Sequence, residues 1–248
     1  MKLAVTGKGG VGKTTISALL AQVCLRHGNR VVAIDADPDA NLAPTLGYSG
    51  PAPIVPLCDR KDLIEERVGS GGMIRLNPRV DDLVGNLGID INGIRLMVLG
   101  TIPRGGSGCF CSPSALLKAF LAHALAQPEE WVILDMEAGL EHLGRGSSRN
   151  VDSLLIVVEP YRRSLETAER IRLLAGDLGI RNVFAVANKI RSPEEARRIS
   201  AELGSVRLAG AIPYSTGLAD FSARVNVDNV EPSVREALDG MYAAISTS

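Results

Sequence analysis

An α/β fold, a doubly wound and mostly parallel sheet with helices on both faces, is predicted by three observations. A short apolar run, Leu3-Ala4-Val5, enters a glycine-rich loop and then a helix-like segment, Ile16 to His27, closed by Gly28. Further apolar runs that read as buried strands alternate with segments at helical spacing, the pattern of strands that run parallel and are joined by helices. Aspartates end two of those runs, Asp35 and Asp135, at the carboxyl ends of strands where open α/β sheets bind ligands. A chain of 248 residues with 46% hydrophobic content suits one sizeable domain over residues 1–248.

The first element is decisive. Gly7-Lys8-Gly9-Gly10-Val11-Gly12-Lys13-Thr14-Thr15 stands between a strand and a helix, the context a phosphate-binding loop requires. Its glycines let the backbone turn tightly enough to aim successive N–H groups at one anion. The helix amino end adds its positive dipole. Lys13 is placed to reach the β- and γ-phosphates of ATP, and the Thr14 hydroxyl to hold Mg²⁺. Lys8 is a second lysine directly after the first glycine. Left to itself it reads as a solvated loop residue. With it, the loop resembles the deviant Walker A ATPases: the nitrogenase iron protein, the cell-division regulator MinD, the partition ATPases and the arsenite/tail-anchor ATPases. In that class the extra lysine crosses a dimer interface to the partner subunit's nucleotide. The resemblance therefore implies a P-loop NTPase that closes as a homodimer around ATP, with Lys8 and Lys13 both catalytic.

Arg30 to Asp35 reads as the second strand, with Asp35 and Asp37 at and just beyond its end and Pro38-Asp39-Ala40-Asn41 following. Two carboxylates there suit magnesium and water, although an Asp-x-Asp-Pro turn also serves simply to stop a strand. By the resemblance this is switch I, Asp37 orients the attacking water, and Asp35 supports the metal shell. From Gly47 the pattern weakens at Pro51, Pro53 and Pro56, and Lys61 to Val68 makes a short helix. Residues Met73 to Asn92 are expected to carry a short strand pair, and Ile94 to Leu99 a strand of the main sheet.

Gly100 to Ser112 holds Cys109 and Cys111 as Cys-x-Cys. Ser112 is suited to cap a helix, Pro113 to open it, and Leu116, Leu117, Phe120, Leu121 and Ala124 recur at helical spacing. The thiols then precede a helix amino end, where the dipole favours thiolate. Two thiolates one residue apart do not close a tetrahedral site, but two copies of the loop would supply four sulfurs. Sulfur ligation suits Zn²⁺, and a square-planar arrangement Ni²⁺. A redox pair, or two incidental cysteines, are the alternatives. Cys24 reads as core, and Cys58 has no assigned role.

Trp131 to Asp135 is the next buried strand, and Asp135 is the acidic residue that holds Mg²⁺ through water in a P-loop protein. Met136 to Gly146 follows, with His142 either a metal or proton-transfer group or an ordinary polar contact. By the resemblance this is switch II, whose glycine responds to the γ-phosphate. Asp-Met-Glu-Ala-Gly-Leu-Glu-His-Leu-Gly-Arg-Gly from Asp135, together with the Cys-x-Cys, resembles the nickel-insertion ATPases of CooC type that mature carbon monoxide dehydrogenase. A related group matures acetyl-CoA synthase. The resemblance implies nickel as cargo, carbon monoxide dehydrogenase as client, and nucleotide control of the metal site through switch II.

The remainder alternates. Ser153 to Val158 and Val183 to Ala187 are strands, and Ser164 is expected to cap the helix between them. The second strand ends at Asn188-Lys189, where asparagine resembles the family's adenine contact, so both residues are counted to the nucleotide site. Ser192-Pro193-Glu194-Glu195 is a capping box. Leu208 to Ile212 is a last strand, followed by Pro213 and Tyr214, either adenine walls or core, and Val230 to Ile245 forms a closing helix.

A net charge of −1 argues against a broad nucleic-acid or membrane footprint. No run reaches the ~18 apolar residues of a membrane span. The first residues enter a strand directly, so no signal peptide is expected. Four cysteines in 248 residues do not make a disulfide framework, so a cytoplasmic location is expected. A MinD/ParA-like positioning ATPase is the competing function.

Overall fold

The structure, a computed structural model, describes residues 1–69, 74–100, 111–140, 143, 145–219 and 224–247, with residues 111, 145 and 146 described by their backbone alone. In chain order its elements are β1 (Lys2–Gly7), α1 (Lys13–Arg26), β2 (Val31–Ala36), α2 (Leu42–Leu46), a 3-10 turn (Leu57–Asp59), α3 (Lys61–Arg67), α4 (Leu83–Leu87), β3 (Ile89–Ile91), β4 (Ile94–Val98), α5 (Cys111–Ala124), β5 (Trp131–Met136), α6 (Arg145–Ser148), β6 (Ser153–Val158), α7 (Arg162–Asp177), β7 (Asn182–Ile190), α8 (Pro193–Glu202), β8 (Arg207–Pro213), α9 (Thr216–Ala219) and α10 (Pro232–Ser246).

Among the described residues the strands form one eight-stranded sheet in the order β3-β4-β2-β5-β1-β6-β7-β8. All pairings are parallel except β3 with β4. The expected doubly wound sheet is present, with successive side chains packing against opposite layers. Leu3, Val5, Ala33 and Ile133 pack with α1 and α10. Ala4, Val32, Leu134 and Ile156 pack with α5, α7 and α8. Because both faces are covered, the strands read as continuous apolar runs instead of alternating ones.

The structure corrects three expectations and adds one element. The strand pair expected within residues 73–92 is instead β3 with β4, joined by the two-residue turn Asn92-Gly93 at φ 52° and 89°. Asn-Gly tolerates these positive φ values and is the residue pair favoured in tight hairpin turns. Ser112 does not cap α5, because the helix already includes Cys111. Ser164 lies inside α7, which starts at Arg162, and its hydroxyl accepts the Glu159 N–H at 3.1 Å. Switch I is followed by a short helix, α2, that periodicity did not reveal. The capping box of α8 is present, with the Ser192 side chain accepting the Glu195 N–H.

The chain leaves β1 for β2 on one side of the sheet and β6 for β7 on the other, although β1 and β6 are neighbours. Their carboxyl ends therefore border a topological switch point, where α/β sheets bind ligands.

Candidate active site

A cavity of about 820 Å³ opens at the carboxyl ends of the strands, within the range of small-ligand sites. Its floor is the loop between β1 and α1. Gly7 ends β1 at φ 149°, and a Cβ there would stand 2.4 Å from the Val157 carbonyl oxygen of β6. Gly12, at φ 95°, caps α1, and a Cβ there would stand 2.5 Å from Asn188 Nδ2. Only glycine fits these two places. Gly9, Gly10, Gly12, Lys13, Thr14 and Thr15 line the cavity. Gly7 and Val11 are buried behind it, and Lys8 is exposed.

One wall is the loop after β2, where Asp37, Pro38, Asp39 and Asn41 face the cavity. Asp35 is fully buried and holds that loop: its Oδ1 accepts the Asp37 N–H at 3.1 Å and its Oδ2 the Leu42 N–H at 2.9 Å. Burial pushes its carboxyl up to about 7, against the pull of the Leu42 N–H. Both its oxygens thus brace the loop that carries Asp37. Ala40, between Asp39 and Asn41, has φ 47°, an uncommon state for a non-glycine residue.

Asp135 closes the base. It is fully buried, its Oδ1 accepts the Ser17 hydroxyl at 3.0 Å, and its Oδ2 has no hydrogen-bond partner among the described residues. Burial raises its carboxyl to about 6, while the Thr14 and Ser17 hydroxyls pull it down. An orphaned carboxylate oxygen in reach of the Thr14 hydroxyl is a place for a hard cation. Oxygen donors of this kind fit Mg²⁺, which takes few protein carboxylates and fills its shell with phosphates and water. No cluster of three or more His, Cys, Asp or Glu groups able to hold a metal occurs among the described residues. Glu137 and Ala138, directly after β5 in the stretch the resemblance reads as switch II, complete this side of the cavity.

The far wall comes from β7 and β8. Asn188 Nδ2 donates to the Val11 carbonyl at 2.8 Å, and its Oδ1 accepts the Lys189 N–H at 2.9 Å. Lys189, at φ 59°, donates from Nζ to the Gly10 carbonyl at 2.9 Å and pairs with Glu159 at 2.6 Å. Both residues border the cavity, but their polar groups prop the phosphate-binding loop from behind. Pro213 and Tyr214 line the cavity, and Tyr214, 43% exposed, carries the Arg191 guanidinium 4.9 Å from its ring centre. That exposure makes Tyr214 a wall, not core. Ser215, Leu218 and Ala219 extend the wall and had no motif to announce them.

Asn188→Ala should weaken ATP, ADP and inosine triphosphate alike, by about tenfold, because it leaves a buried carbonyl of the loop unpaired. Titration calorimetry with the three nucleotides checks this. A loss confined to the adenine nucleotides would instead assign the side chain to the base.

A smaller hollow of about 470 Å³ lies at the opposite, amino ends of the strands. Its arginines are already engaged, Arg30 with Glu129 and Arg95 with the Gly88 carbonyl, and no glycine loop faces it.

Residues 2–226 match the CobQ/CobB/MinD/ParA nucleotide-binding domain. The chain belongs to that family. It is 42% identical over 252 residues to the carbon monoxide dehydrogenase accessory protein CooC of Rhodospirillum rubrum, covering 99% of this chain and 96% of that one. It is 45% identical to an uncharacterized ATP-binding protein of Methanocaldococcus jannaschii, covering 86% of this chain and 85% of that one. The MinC:MinD cell-division complex of Aquifex aeolicus matches at TM-score 0.72 and 22% identity, covering 99% of this chain and 95% of that one, a likeness of fold.

As a CobQ/CobB/MinD/ParA-type P-loop ATPase of the deviant Walker A class, the protein binds ATP and converts it with water to ADP and phosphate. Thr14 and Asp135 would hold Mg²⁺, which would supply charge neutralisation at the β- and γ-phosphates. Lys13, 7% exposed, opens α1 and lines the cavity together with Gly9, Gly10 and Gly12 of the loop. Asp37 lines the same cavity.

Cys109 lies outside the described residues, as do His142 and parts of switch II. Cys111 opens α5. Cys24 is fully buried in α1, and burial pushes its thiol well above the usual range. Cys58 packs against Gly100, where an added Cβ would meet its sulfur at 2.4 Å. No described helix is long and apolar enough to cross a membrane.

Proposed function

We propose that this ATPase is a maturation factor that helps insert nickel into a carbon monoxide dehydrogenase. Nickel or zinc is held between the Cys109 and Cys111 loops of two protomers, and ATP hydrolysis resets the assembly. The observation that carries this reading is the likeness to the Rhodospirillum rubrum accessory protein, which runs over almost the whole of both chains. Two features support it. Lys8 is exposed beside the nucleotide cavity, where a second copy can meet it. The segment after Asp135 leads into α6, which packs against α5, the helix that Cys111 opens. A movement of switch II therefore has a short mechanical route to the metal loop.

The test is activation of nickel-free carbon monoxide dehydrogenase by this protein with ATP and Ni²⁺. Wild type should activate it, and Lys8→Ala should not, while keeping ADP binding and losing ATP-dependent dimers in light scattering. Failure of wild type with this client, but success with nickel-free acetyl-CoA synthase, would move the assignment to that enzyme. Failure with both would end the reading. Co-sedimentation with liposomes or DNA would then favour a positioning ATPase.

A further inference from the structure

Thr6, the residue just before the phosphate-binding loop, is fully buried. Its hydroxyl meets the segment that follows Asp135. Thr6 Oγ1 lies 2.9 Å from the Glu137 carbonyl and 3.1 Å from the Gly139 carbonyl, and it accepts the Gly139 N–H at 3.2 Å. A hydroxyl has a single proton, so the two carbonyls share it while a lone pair takes the amide. Three backbone groups within residues 137–139 thus converge on one side-chain oxygen. Strand register brings them there: Val5 pairs with Asp135 in the parallel β1–β5 ladder, so Thr6 lies opposite the point where the chain leaves the sheet.

Two facts give the contact a functional direction. Glu137 and Ala138 face the nucleotide cavity, exposed, whereas Gly139 is buried and is not among the lining residues. Gly139 also has φ 153°, a conformation open to glycine and costly for other residues. The amide is therefore bonded to Thr6 and kept out of the cavity, on a residue whose backbone conformation glycine adopts readily. The third phosphate of ATP requires donors beyond those of the loop, and in nucleotide switches it is this phosphate that orders the neighbouring segment.

We infer that Thr6 is a positioning residue for ATP hydrolysis: its hydroxyl is a latch that holds the Gly139 amide away from the cavity until a triphosphate competes for it. ADP leaves the latch closed. ATP draws the amide over and frees residues 137–139 to move with it. The inference requires nucleotide binding alone and is independent of any metal cargo.

Thr6→Val keeps the side-chain shape and removes the hydroxyl, leaving the Gly139 amide unpaired in the closed state. The ratio of affinities for a non-hydrolysable ATP analogue over ADP should rise by roughly three- to tenfold, the size of one buried hydrogen bond. Thr6→Ser, which keeps the hydroxyl, should restore the wild-type ratio. A merely structural role would lower both affinities together and leave the ratio unmoved. An unchanged or reduced ratio in folded Thr6→Val, or no rescue by Thr6→Ser, overturns the latch. Should Thr6→Val fail to fold, residue-resolved hydrogen exchange on the wild type decides. The Gly139 amide should be protected in the ADP form relative to that of Ala138, and exchange at the unprotected rate would refute the inference.

Discussion

Asp135→Asn should reduce steady-state ATP hydrolysis by about a hundredfold or more, the scale set by removing a preorganised electrostatic group from such a site. The variant keeps the size of the side chain and can keep the bond with Ser17, now 3.0 Å from Oδ1. It loses the negative charge on the oxygen that has no hydrogen-bond partner among the described residues. Where that oxygen serves the cation, the loss should appear in kcat at saturating nucleotide and in the magnesium dependence. The same substitution changes the pH response of the nucleotide-free protein. Asp135 has its carboxyl raised from 3.8 to about 6 in the fold. Below about pH 4 both folded and unfolded chains hold the proton and the group is neutral in its effect. Between pH 4 and 6 the unfolded chain releases it and the folded one keeps it, so stability falls as pH rises. Above 6 the full penalty, on the order of a few kcal/mol, is in place. In Asp135→Asn this part of the decline disappears, while that from Asp35, raised to about 7, continues to neutral pH. Urea midpoints at pH 4.5 and 6.5 for both proteins check the difference. Equal slopes would mean that the carboxylate is better solvated than its burial implies, and unchanged turnover would remove it from the catalytic centre.

The parts legible in the sequence are those whose reason is local. The loop from Gly7 to Thr15 could be read because its glycines, its lysines and its place between a strand and a helix lie within one short stretch. Asp35 and Asp135 could be read because the ends of buried strands are visible in the run of apolar residues before them. What escaped depends on residues far apart in the chain. Asn188 props the loop through the Val11 carbonyl across 177 residues, and Thr6 meets Gly139 across 133. No spacing rule connects either pair, and the resemblance that assigned Asn188 to adenine passed over the carbonyl it holds. The helix starts were misjudged for a different reason. Ser112 and Ser164 have the side chains a cap requires, but α5 and α7 already include Cys111 and Arg162. Asn92-Gly93 was the opposite case: a local signal that was present and unused, because the strand before it is only three residues long.

Joint replacement of Cys109 and Cys111 by Ser should remove the bound metal completely while leaving ADP and ATP binding as in wild type. The two halves of this expectation have separate grounds. Serine hydroxyls stay protonated near neutral pH and are poor ligands for nickel or zinc, which take thiolate sulfur. In a site shared by two protomers the double substitution deletes every sulfur at once, and for a thiolate site that forfeits about 10 kcal/mol or more of binding. Nucleotide binding should survive because the described lining of the nucleotide cavity comes from the phosphate-binding loop, the loop after β2, the residues after β5 and the ends of β7 and β8. The fold should survive because α5 is anchored by Leu116, Phe120 and Leu121, fully or nearly fully buried against the sheet. Metal content should be measured after nickel or zinc challenge with ADP, with a non-hydrolysable ATP analogue and without nucleotide. In wild type it should depend on which nucleotide is present, since switch II reaches α5 through α6. In the double variant it should be at background in all three states. Retention of stoichiometric metal would transfer the site to other ligands. Loss of metal together with loss of nucleotide affinity would mean that the loop and the cavity are one structural unit, not two sites joined by a moving segment.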